Sequence, residues 1–585
     1  MSENKQENFF LTVDNIKVPI EGERNILEVI RKAKIEIPTL CYNSELSIHG
    51  GCRMCMVELE GRGLVASCSV PPVDGMVIRS NTKEVRGIRK TVLELVLANH
   101  HQNCYTCGKS TVCNLQQLAK DYGINNIRFK RREKESPIDV GLCITRDPDK
   151  CILCGQCIRM CSEIQSVGCI GFGFRSSDAE VLTAFNKNID ETECVGCGQC
   201  TQVCPTGALM NTSNIKDVWQ YLNDPTKTVV VQIAPAVRTA IGEPFGFAPG
   251  EVTTDKMVTA LKAMGFDYVF DTCFGADLTI MEEATEFVSR VKNGGTFPMV
   301  TSCCPGWVNF AESFYPDFEK NLSSCRSPQE MFSSVIKSYG PKMWGINRKD
   351  LKVISIMPCT AKKEEKDKDK FKIEGDPNTD FSITTQEFAQ MIKECGIDFR
   401  NLADTPFDHP FGEKTGAGVI FGSSGGVAEA ALRFIMDFDE NPPAEHDFAF
   451  KAVRGMEGIK SAGIELNGQK FNIAVASGLA NTRKLLNDVK AGKVSYDFIE
   501  IMACSGGCLN GGGQPTSKDR DYKLKRMAGI YKNDVDQKLH KSQQNPDIIK
   551  LYKDYLESPG SHEAHHKLHT HYEDKNLKKK YGVEK

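Results

Sequence analysis

The sequence predicts a multi-domain protein of mixed α+β and α/β type, with small cysteine-rich modules first and one large α/β domain of two lobes after them. Three observations carry this. A chain of 585 residues is too long for a single hydrophobic core, so several domains are expected. Seventeen of its 25 cysteines fall in the first 210 positions, most of them in short, repeated spacings. From about residue 211 short apolar runs alternate with helix-period stretches, the pattern of mostly parallel sheets covered by helices.

Composition narrows the class. A hydrophobic content of 40% and a charged content of 25% are ordinary for a globular protein. A net charge of −3 favours neither nucleic acid nor an anionic membrane surface. MSENKQENFF does not read as an export signal, and no apolar run is long enough to span a bilayer. The expected location is therefore cytoplasmic. Disulfides rarely persist there, so cysteines in metal-like spacings are expected to be metal thiolates.

Residues 1–80 open on the alternating segment FFLTVDNIKVPI, expected to form a hairpin of half-buried strands, and continue with a helical pattern over Asn25–Ala33. Cys41, Cys52, Cys55 and Cys68 follow in the spacing C-x10-C-x2-C-x12-C. Four thiolates suit a [2Fe–2S] cluster or zinc. The uneven spacing around a central CxxC resembles plant-type ferredoxins, though the first interval is longer than theirs, and favours the cluster. Residues 81–125 hold the helical run EVRGIRKTVLELVLANHH and then Cys104, Cys107 and Cys113. With His100 they give H-x3-C-x2-C-x5-C, a ligand set zinc would also accept. The neighbouring motifs tilt it toward [4Fe–4S], and spacing leaves His101 open as the alternative to His100.

Residues 126–210 carry CILCGQCIRMC and CVGCGQCTQVCP. This C-x2-C-x2-C-x3-C run occurs twice, and in two-cluster ferredoxins the fourth cysteine of each run ligates the other cluster. One [4Fe–4S] is therefore assigned to Cys151, Cys154, Cys157 and Cys204, and its partner to Cys194, Cys197, Cys200 and Cys161. Such a module conducts electrons.

Residues 211–585 contain the apolar runs TVVVQIAP, FPMVTSCCPGW, VISIMPC, GVIFGSSGG, FNIAVASG and FIEIMAC, read as strands, with DKMVTALKAMGF helical. Ligands in such sheets gather beyond the carboxyl ends of strands, where Cys303, Cys304, Cys359 and Cys504 fall. EIMACSGGCLNGGGQP adds Cys508 in a glycine-rich turn. The charge run KKEEKDKDKFK (362–372) reads as a solvated loop apart from its first lysine. The polar tail from about 516, with HEAHHKLHTHY near its end, reads as an exposed helix rather than a metal site. Neither a dinucleotide fingerprint nor a phosphate-binding loop is visible, so flavin or nicotinamide chemistry would need a partner.

Three segments, TSCCPGW (301–307), MPCTAKK (357–363) and EIMACSGGCLNGGGQP (500–515), resemble the signatures of the [FeFe]-hydrogenases. The likeness extends over the whole chain, in the form of the long clostridial-type members. It implies ferredoxin-like modules ahead of an H-cluster domain, and reversible oxidation of dihydrogen to two protons and two electrons. The H-cluster is a [4Fe–4S] cubane joined to a diiron unit bearing CO, cyanide and azadithiolate. Carried over by position, Cys304, Cys359, Cys504 and Cys508 hold the cubane, with Cys508 bridging. Lys362 donates to a cyanide, and Pro235, Ala236, Gln329, Met357, Ser423 and Met502 line the diiron pocket. Cys303, Glu283, Ser323, Glu286 and Arg290 form the proton relay. Without the likeness, Glu283 and Glu286 would read as a solvated helix face.

The implied partners are ferredoxin, flavin- and NAD-binding subunits as in electron-bifurcating hydrogenases, and maturation proteins for the diiron unit. The first two modules also resemble the large peripheral subunit of respiratory complex I. A hydrogen or redox sensor, or an iron–sulfur relay or assembly factor on the same scaffold, is the alternative. Cys143, Cys169, Cys273, Cys325 and Cys395 have no expected role beyond packing.

Overall fold

In the computed structural model the described residues are 9–131, 136–438, 450–466, 468–517 and 519–572. Among them no helix is long and apolar enough to cross a membrane.

The opening hairpin forms as expected. Phe10–Val13 pairs antiparallel with Ile16–Pro19, Leu11 opposite Val18, because period-two alternation puts Leu11, Val13 and Val18 on the buried face. Three further strands, Met56–Leu59, Gly63–Ala66 and Val77–Arg79, complete a five-stranded sheet. Helix Ile26–Lys32 lies against it, its first turn capped by the Asn25 side chain on the Glu28 amide. Cys55 and Cys68 belong to this core. The next module is two helices, Lys83–Ala98 and Asn114–Asp121, with the cysteine loop between them.

The doubled cysteine motif appears as a doubled backbone motif. Gly155 and Gly198 take left-handed φ of 65° and 68°, and each opens a short helix, Gln156–Arg159 and Gln199–Val203. A side chain at either position would be strained. The hairpin Ile170–Gly173/Glu180–Thr183 fills the space between the two runs.

From residue 228 the chain builds two four-stranded sheets, one per lobe. The first, in the order Tyr268–Asp271, Thr228–Ile233, Leu351–Met357, Phe381–Thr384, is parallel throughout. The second, Met299–Val300, Phe498–Met502, Gln469–Ser477, Ile459–Leu466, ends in an antiparallel edge pair. Central strands read as unbroken apolar runs because both faces are covered. The 22-residue helix Thr272–Asn293 runs beside the site, buried on every side from Thr272 to Ile280. Gly275 lets it approach helix Pro328–Trp344: a Cβ there would stand 2.5 Å from the Pro328 carbonyl.

Three expectations are corrected. GVIFGSSGG is not a strand: Gly416–Ile420 is helical, started by the Thr415 side chain accepting from the Gly418 amide. The charge run is not a solvated loop. Helix Ala361–Glu365 buries Lys362, Lys363 and Glu365, and Lys366 follows them inside. Each of the first three charges has a partner: Lys363 pairs with Glu387 at 2.9 Å and Lys362 with Glu365 at 2.8 Å. Such pairing is what lets buried charges persist. The histidine-rich tail is only partly an exposed helix. His562, His565 and His566 of His562–Leu568 are exposed, but His569 is 7% exposed. Residues 573–585 of that tail lie outside the described residues.

Candidate active site

All 25 cysteines are free, and those with metal-like spacing gather into sets. In the first module the amides of Gly51 and Cys52 are directed at the Cys41 sulfur and that of Met54 at Cys52. Backbone N–H groups around thiolates are what an iron–sulfur site requires. Of the two adjacent histidines, His100 faces the cavity that Cys104 and Cys113 line, with Nδ1 3.1 Å from the Lys150 carbonyl. His101 is exposed. Cys151, Cys154, Cys157 and Cys204 line one cavity. Cys161, Cys194, Cys197 and Cys200 lie close enough for each thiol's charge to weigh on the others. Each group brings three cysteines of one run together with the fourth cysteine of the other.

The second of these sets abuts the catalytic lobes. The Gln199 side chain donates to Cys504 Sγ at 3.2 Å and to the Asn510 carbonyl at 2.8 Å. A Cβ on Gly512 would stand 2.5 Å from the Cys197 carbonyl and 2.6 Å from Gly198 Cα. Backbone meets backbone there with no side chain between.

Strand Leu351–Met357 delivers Cys359, Met299–Val300 delivers Cys303 and Cys304, and Phe498–Met502 delivers Cys504 and Cys508. The two sheets thus aim their carboxyl ends at one place. Cys304, Cys359, Cys504 and Cys508 influence one another electrostatically. Burial pushes the Cys359 thiol up to about 12 and Cys504 and Cys508 up as well. Four buried sulfurs of this kind become thiolates when a metal pays the desolvation cost, so the donor set fits an iron–sulfur group.

Beside the sulfurs lies an apolar cavity walled by Pro235, Ala236, Gln329, Met357, Met502, Phe421 and Gly422, with Cys303 and Lys362 on its lining. Burial opposes the Lys362 charge, but Glu365 outweighs it and the ammonium pKa is raised. Lys362 Nζ also lies 3.4 Å from the Cys303 carbonyl. The combination suits a polar, electron-rich group held in a dry site. Ser423 does not line this cavity. Its hydroxyl donates to the Ile420 carbonyl at 2.9 Å, and it packs behind Gly507.

The glycines of EIMACSGGCLNGGGQP permit close packing of the chain. A Cβ on Gly507 (φ +96°) would meet the Ser424 amide nitrogen at 2.5 Å, one on Gly511 would land on the Pro358 carbonyl oxygen, and one on Gly513 would meet Thr384 at 2.7 Å. They let this loop pack directly on the Pro358–Cys359 loop, on Ser423–Ser424 and on the end of strand Phe381–Thr384.

Along the long helix, Glu283 is wholly buried, not on a solvated face, with the Ser323 hydroxyl as the hydrogen-bonding group beside its carboxyl. Burial lifts its pKa to about 8; Ser323 pulls against this while Glu286 adds to it. After burial itself, Glu283 weighs most on the Cys303 thiol. Ser323 donates to Glu286 Oε2 at 3.2 Å, and Arg290 Nε donates to Glu286 Oε1 at 3.0 Å. Glu286 and Arg290 side chains are each 15% exposed. Cys303 on the cavity lining thus lies within electrostatic reach of Glu283, and Ser323 leads on to Glu286 and Arg290, which reach the surface.

Several residues at the site went unassigned by sequence. Glu365 joins Lys362, Ser327 Oγ (3.0 Å) and Gln329 Nε2 (3.3 Å); its position three after Lys362 in a helix was a usable signal. Gln199 had none, since its contact is 305 residues away. Of the unassigned cysteines, Cys169 Sγ lies 3.7 Å from Cys161 Sγ, Arg238 Nη2 donates to Cys273 Sγ at 3.2 Å, Cys325 Sγ is 4.0 Å from Glu286 Oε2, Cys143 is buried and Cys395 is exposed.

Comparison with known proteins agrees along the chain. Family models match for the 2Fe-2S iron-sulfur cluster binding domain (6–83), the NADH-ubiquinone oxidoreductase-G iron-sulfur binding region (89–128) and the 4Fe-4S dicluster domain (125–208). The iron only hydrogenase large subunit, C-terminal domain, matches residues 227–512, and the iron hydrogenase small subunit 520–575. The chain is 44% identical over 576 residues to the NADP-reducing hydrogenase subunit HndD of Solidesulfovibrio fructosivorans, covering 96% of this chain and 98% of that protein. It is 40% identical over 573 residues to iron hydrogenase 1 of Clostridium pasteurianum, covering 96% and 99%. A variant structure of the Chlamydomonas reinhardtii [FeFe]-hydrogenase superposes with a TM-score of 0.56 at 41% identity, covering 62% of this chain and 98% of that one. Solved variants of that algal enzyme replace one or other of two glutamates three positions apart. With two relatives of this length matched from end to end, the chain belongs to the iron-only, or [FeFe], hydrogenases, and is an enzyme of dihydrogen that carries its own 2Fe-2S and 4Fe-4S domains.

Proposed function

We propose that dihydrogen is made and oxidised in the cavity between the two lobes, with Cys304, Cys359, Cys504 and Cys508 holding the cubane of the H-cluster and Lys362 steadying the diiron unit. When bound, that group supplies the electron-pair chemistry of dihydrogen. Everything else falls to the chain. Met357, Met502, Phe421, Pro235 and Ala236 keep the cavity dry, and the Glu365 carboxylate holds the Lys362 ammonium in place.

Protons move along the long helix. Glu286 takes a proton at the surface, where Arg290 orients its carboxylate. Cys303, on the cavity wall, gives its Sγ proton to the reacting centre and is refilled by Glu283, which is protonated near pH 7. Glu283 in turn takes its next proton through the Ser323 hydroxyl from Glu286. A proton carrier works best with a pKa near the working pH. The observation that carries this reading is the buried carboxyl of Glu283 between a cavity-lining thiol and a surface-reaching glutamate. That the algal relative has been solved with either of two glutamates at the same spacing replaced supports it.

Electrons travel the other way along the chain's own modules. The [2Fe–2S] ligands would be Cys41, Cys52, Cys55 and Cys68, and a second input would use His100, Cys104, Cys107 and Cys113. Both feed Cys151, Cys154, Cys157 and Cys204, then Cys161, Cys194, Cys197 and Cys200, then the active site. The match to a small-subunit segment and the naming of the bacterial relative as a subunit favour redox partner subunits. We place ferredoxin or a flavin- and NAD-bearing chain in that role, in the cytoplasm; anaerobic co-purification with a flavin-bearing chain tests it. Cys303→Ala tests the catalytic reading. Infrared bands of CO and cyanide should remain in the matured protein while dihydrogen evolution falls by about 10²-fold or more; near-normal evolution would remove Cys303 from the relay.

A further inference from the structure

The sulfurs that would hold the active-site cubane are not served alike. Cys304 Sγ receives the Ala503 amide at 3.4 Å and the Trp307 amide, and Cys359 receives those of Ala361 and Lys362. All four of these donors are backbone groups of the catalytic lobes. At Cys504 the donor is a side chain from another module: Gln199 Nε2 lies 3.2 Å from Cys504 Sγ and 2.8 Å from the Asn510 carbonyl. A carbonyl oxygen only accepts, so the atom facing it is the amide nitrogen, and the second N–H of that nitrogen is left for the sulfur. Gln199 itself stands between Cys197 and Cys200, two cysteines of the neighbouring set. Cys197 and Cys504 lie within electrostatic reach of each other. The side chain is fixed from behind. Gly198 opens helix Gln199–Val203 with a left-handed φ, and three residues on, Gln202 Nε2 donates to the Gly512 and Gln514 carbonyls at 2.8 Å each. The two glutamines, on one helix face, clamp the loop 510–514. Gln199 bonds a sulfur and Gln202 bonds carbonyls.

We propose that Gln199 is a positioning residue that sets the reduction potential of the active-site cubane from the electron-transfer module, by donating its side-chain amide to the Cys504 thiolate. The inference rests on Cys504 being a cubane ligand. One electron leaves the cluster of Cys161, Cys194, Cys197 and Cys200, which is oxidised, and the cubane is reduced. No bond forms or breaks, and Gln199 keeps both amide hydrogens. Negative charge on the ligand sulfurs grows with that electron, so an N–H donor binds the reduced form more strongly than the oxidised one. The hydrogen bond therefore raises the potential, as hydrogen bonds to cluster sulfurs do. Cys504 is buried, so water screens the effect little. The acceptor is tuned by the same helix that brings the donor.

The test uses the full-length, anaerobically matured enzyme, with iron content checked in each variant. Cys504→Ala comes first: loss of the CO and cyanide infrared bands supports the ligand assignment, and their retention defeats that reading before Gln199 is at issue. The potential is then read by infrared spectroelectrochemistry, in which those bands follow the charge on the cubane, with the accessory clusters titrated by EPR in the same samples. Gln199→Met has nearly the length of glutamine and no N–H. It should shift the electron-transfer equilibrium about tenfold away from the cubane, equivalent to a potential lower by about 59 mV for one electron, and leave the potentials of the other clusters in place. Gln199→Leu, smaller and also without a donor, should shift the same way. Gln202→Met loosens the same loop without removing a bond to sulfur, and should leave the cubane potential at its wild-type value. An unchanged cubane potential in Gln199→Met or Gln199→Leu would overturn the proposal. So would an equal shift in Gln202→Met, or loss of the bands in both Gln199 variants, each of which marks a packing role.

Discussion

Glu283 shows how one carboxyl can serve both stability and turnover, and with opposite sign. Its folded pKa of about 8 lies above the ordinary 4.5 because burial disfavours the anion. A raised carboxyl pKa stabilises the fold fully below pH 4.5 relative to higher pH, and that advantage is lost as the pH rises toward 8. The shift corresponds to at most about 4–5 kcal/mol. Glu283→Gln removes the titration, so the melting temperature of the catalytic domain should fall less between pH 6 and pH 9 than in the wild type. Dihydrogen evolution should drop about 10²-fold or more. Differential scanning fluorimetry across that range, paired with activity, checks both; an unchanged pH slope would mean that Glu283 is already ionised in the fold. At this scale the sequence was legible where spacing alone placed groups, as with Glu283, Glu286 and Arg290 on one helix face. It was not legible where a charge finds its partner far along the chain. Lys363 reads as solvated until Glu387, at 2.9 Å, is brought beside it, and His569 reads as exposed until Glu282, 287 positions away, receives it.

Elements add a constraint that single residues do not reveal: the ligand loops must touch backbone to backbone. Gly511 faces the Pro358 carbonyl oxygen, and Pro358 stands between Met357 and the ligand Cys359. Gly511→Ala should therefore displace the Cys359 loop, costing about 1–3 kcal/mol or more as overpacking does. Iron bound by the catalytic domain and the CO and cyanide bands should be lost, while the N-terminal cluster signals remain. Gly87, in helix Lys83–Ala98 with nothing within 4 Å of a Cβ, is the control. Gly87→Ala should be neutral or stabilising by about 0.5–1 kcal/mol. Most catalytic strands could be read from their apolar runs. GVIFGSSGG could not, because a five-residue apolar run suits a buried helix as well as a buried strand. The Thr415 cap that decides the matter is a weak signal in a glycine-rich segment.

Across the whole molecule the contacts describe a fork that joins before the active site. Gln156 donates to the Leu40 carbonyl at 2.7 Å and Arg159 to the Cys41 carbonyl at 2.8 Å, seating the [2Fe–2S] module on the helix that follows Cys154. The histidine module sits on the same site from another side: Cys113 Sγ is 3.7 Å from the Pro205 carbonyl, and a Cβ on Gly207 would stand 2.5 Å from Cys107 Sγ. Beyond the join the two-cluster module meets the catalytic lobes through several contacts, among them Gly198 and Gln199 with the Gly512 loop, Thr360 Oγ1 donating to the Gly196 carbonyl at 2.5 Å and Arg483 Nε donating to Ser166 Oγ at 2.7 Å. Two inputs in parallel and one junction in series respond differently to damage. His100→Ala should change the EPR signal of one cluster, leave the others intact and retain most dihydrogen evolution from a reduced dye, because the other branch still delivers. Gly198→Ala, whose Cβ would press on Thr360 beside Cys359 at a left-handed φ, should keep every N-terminal signal yet slow electron delivery from any donor that enters upstream. If His100→Ala instead stops evolution as completely as Gly198→Ala, the two N-terminal sites lie in one line and the fork is wrong.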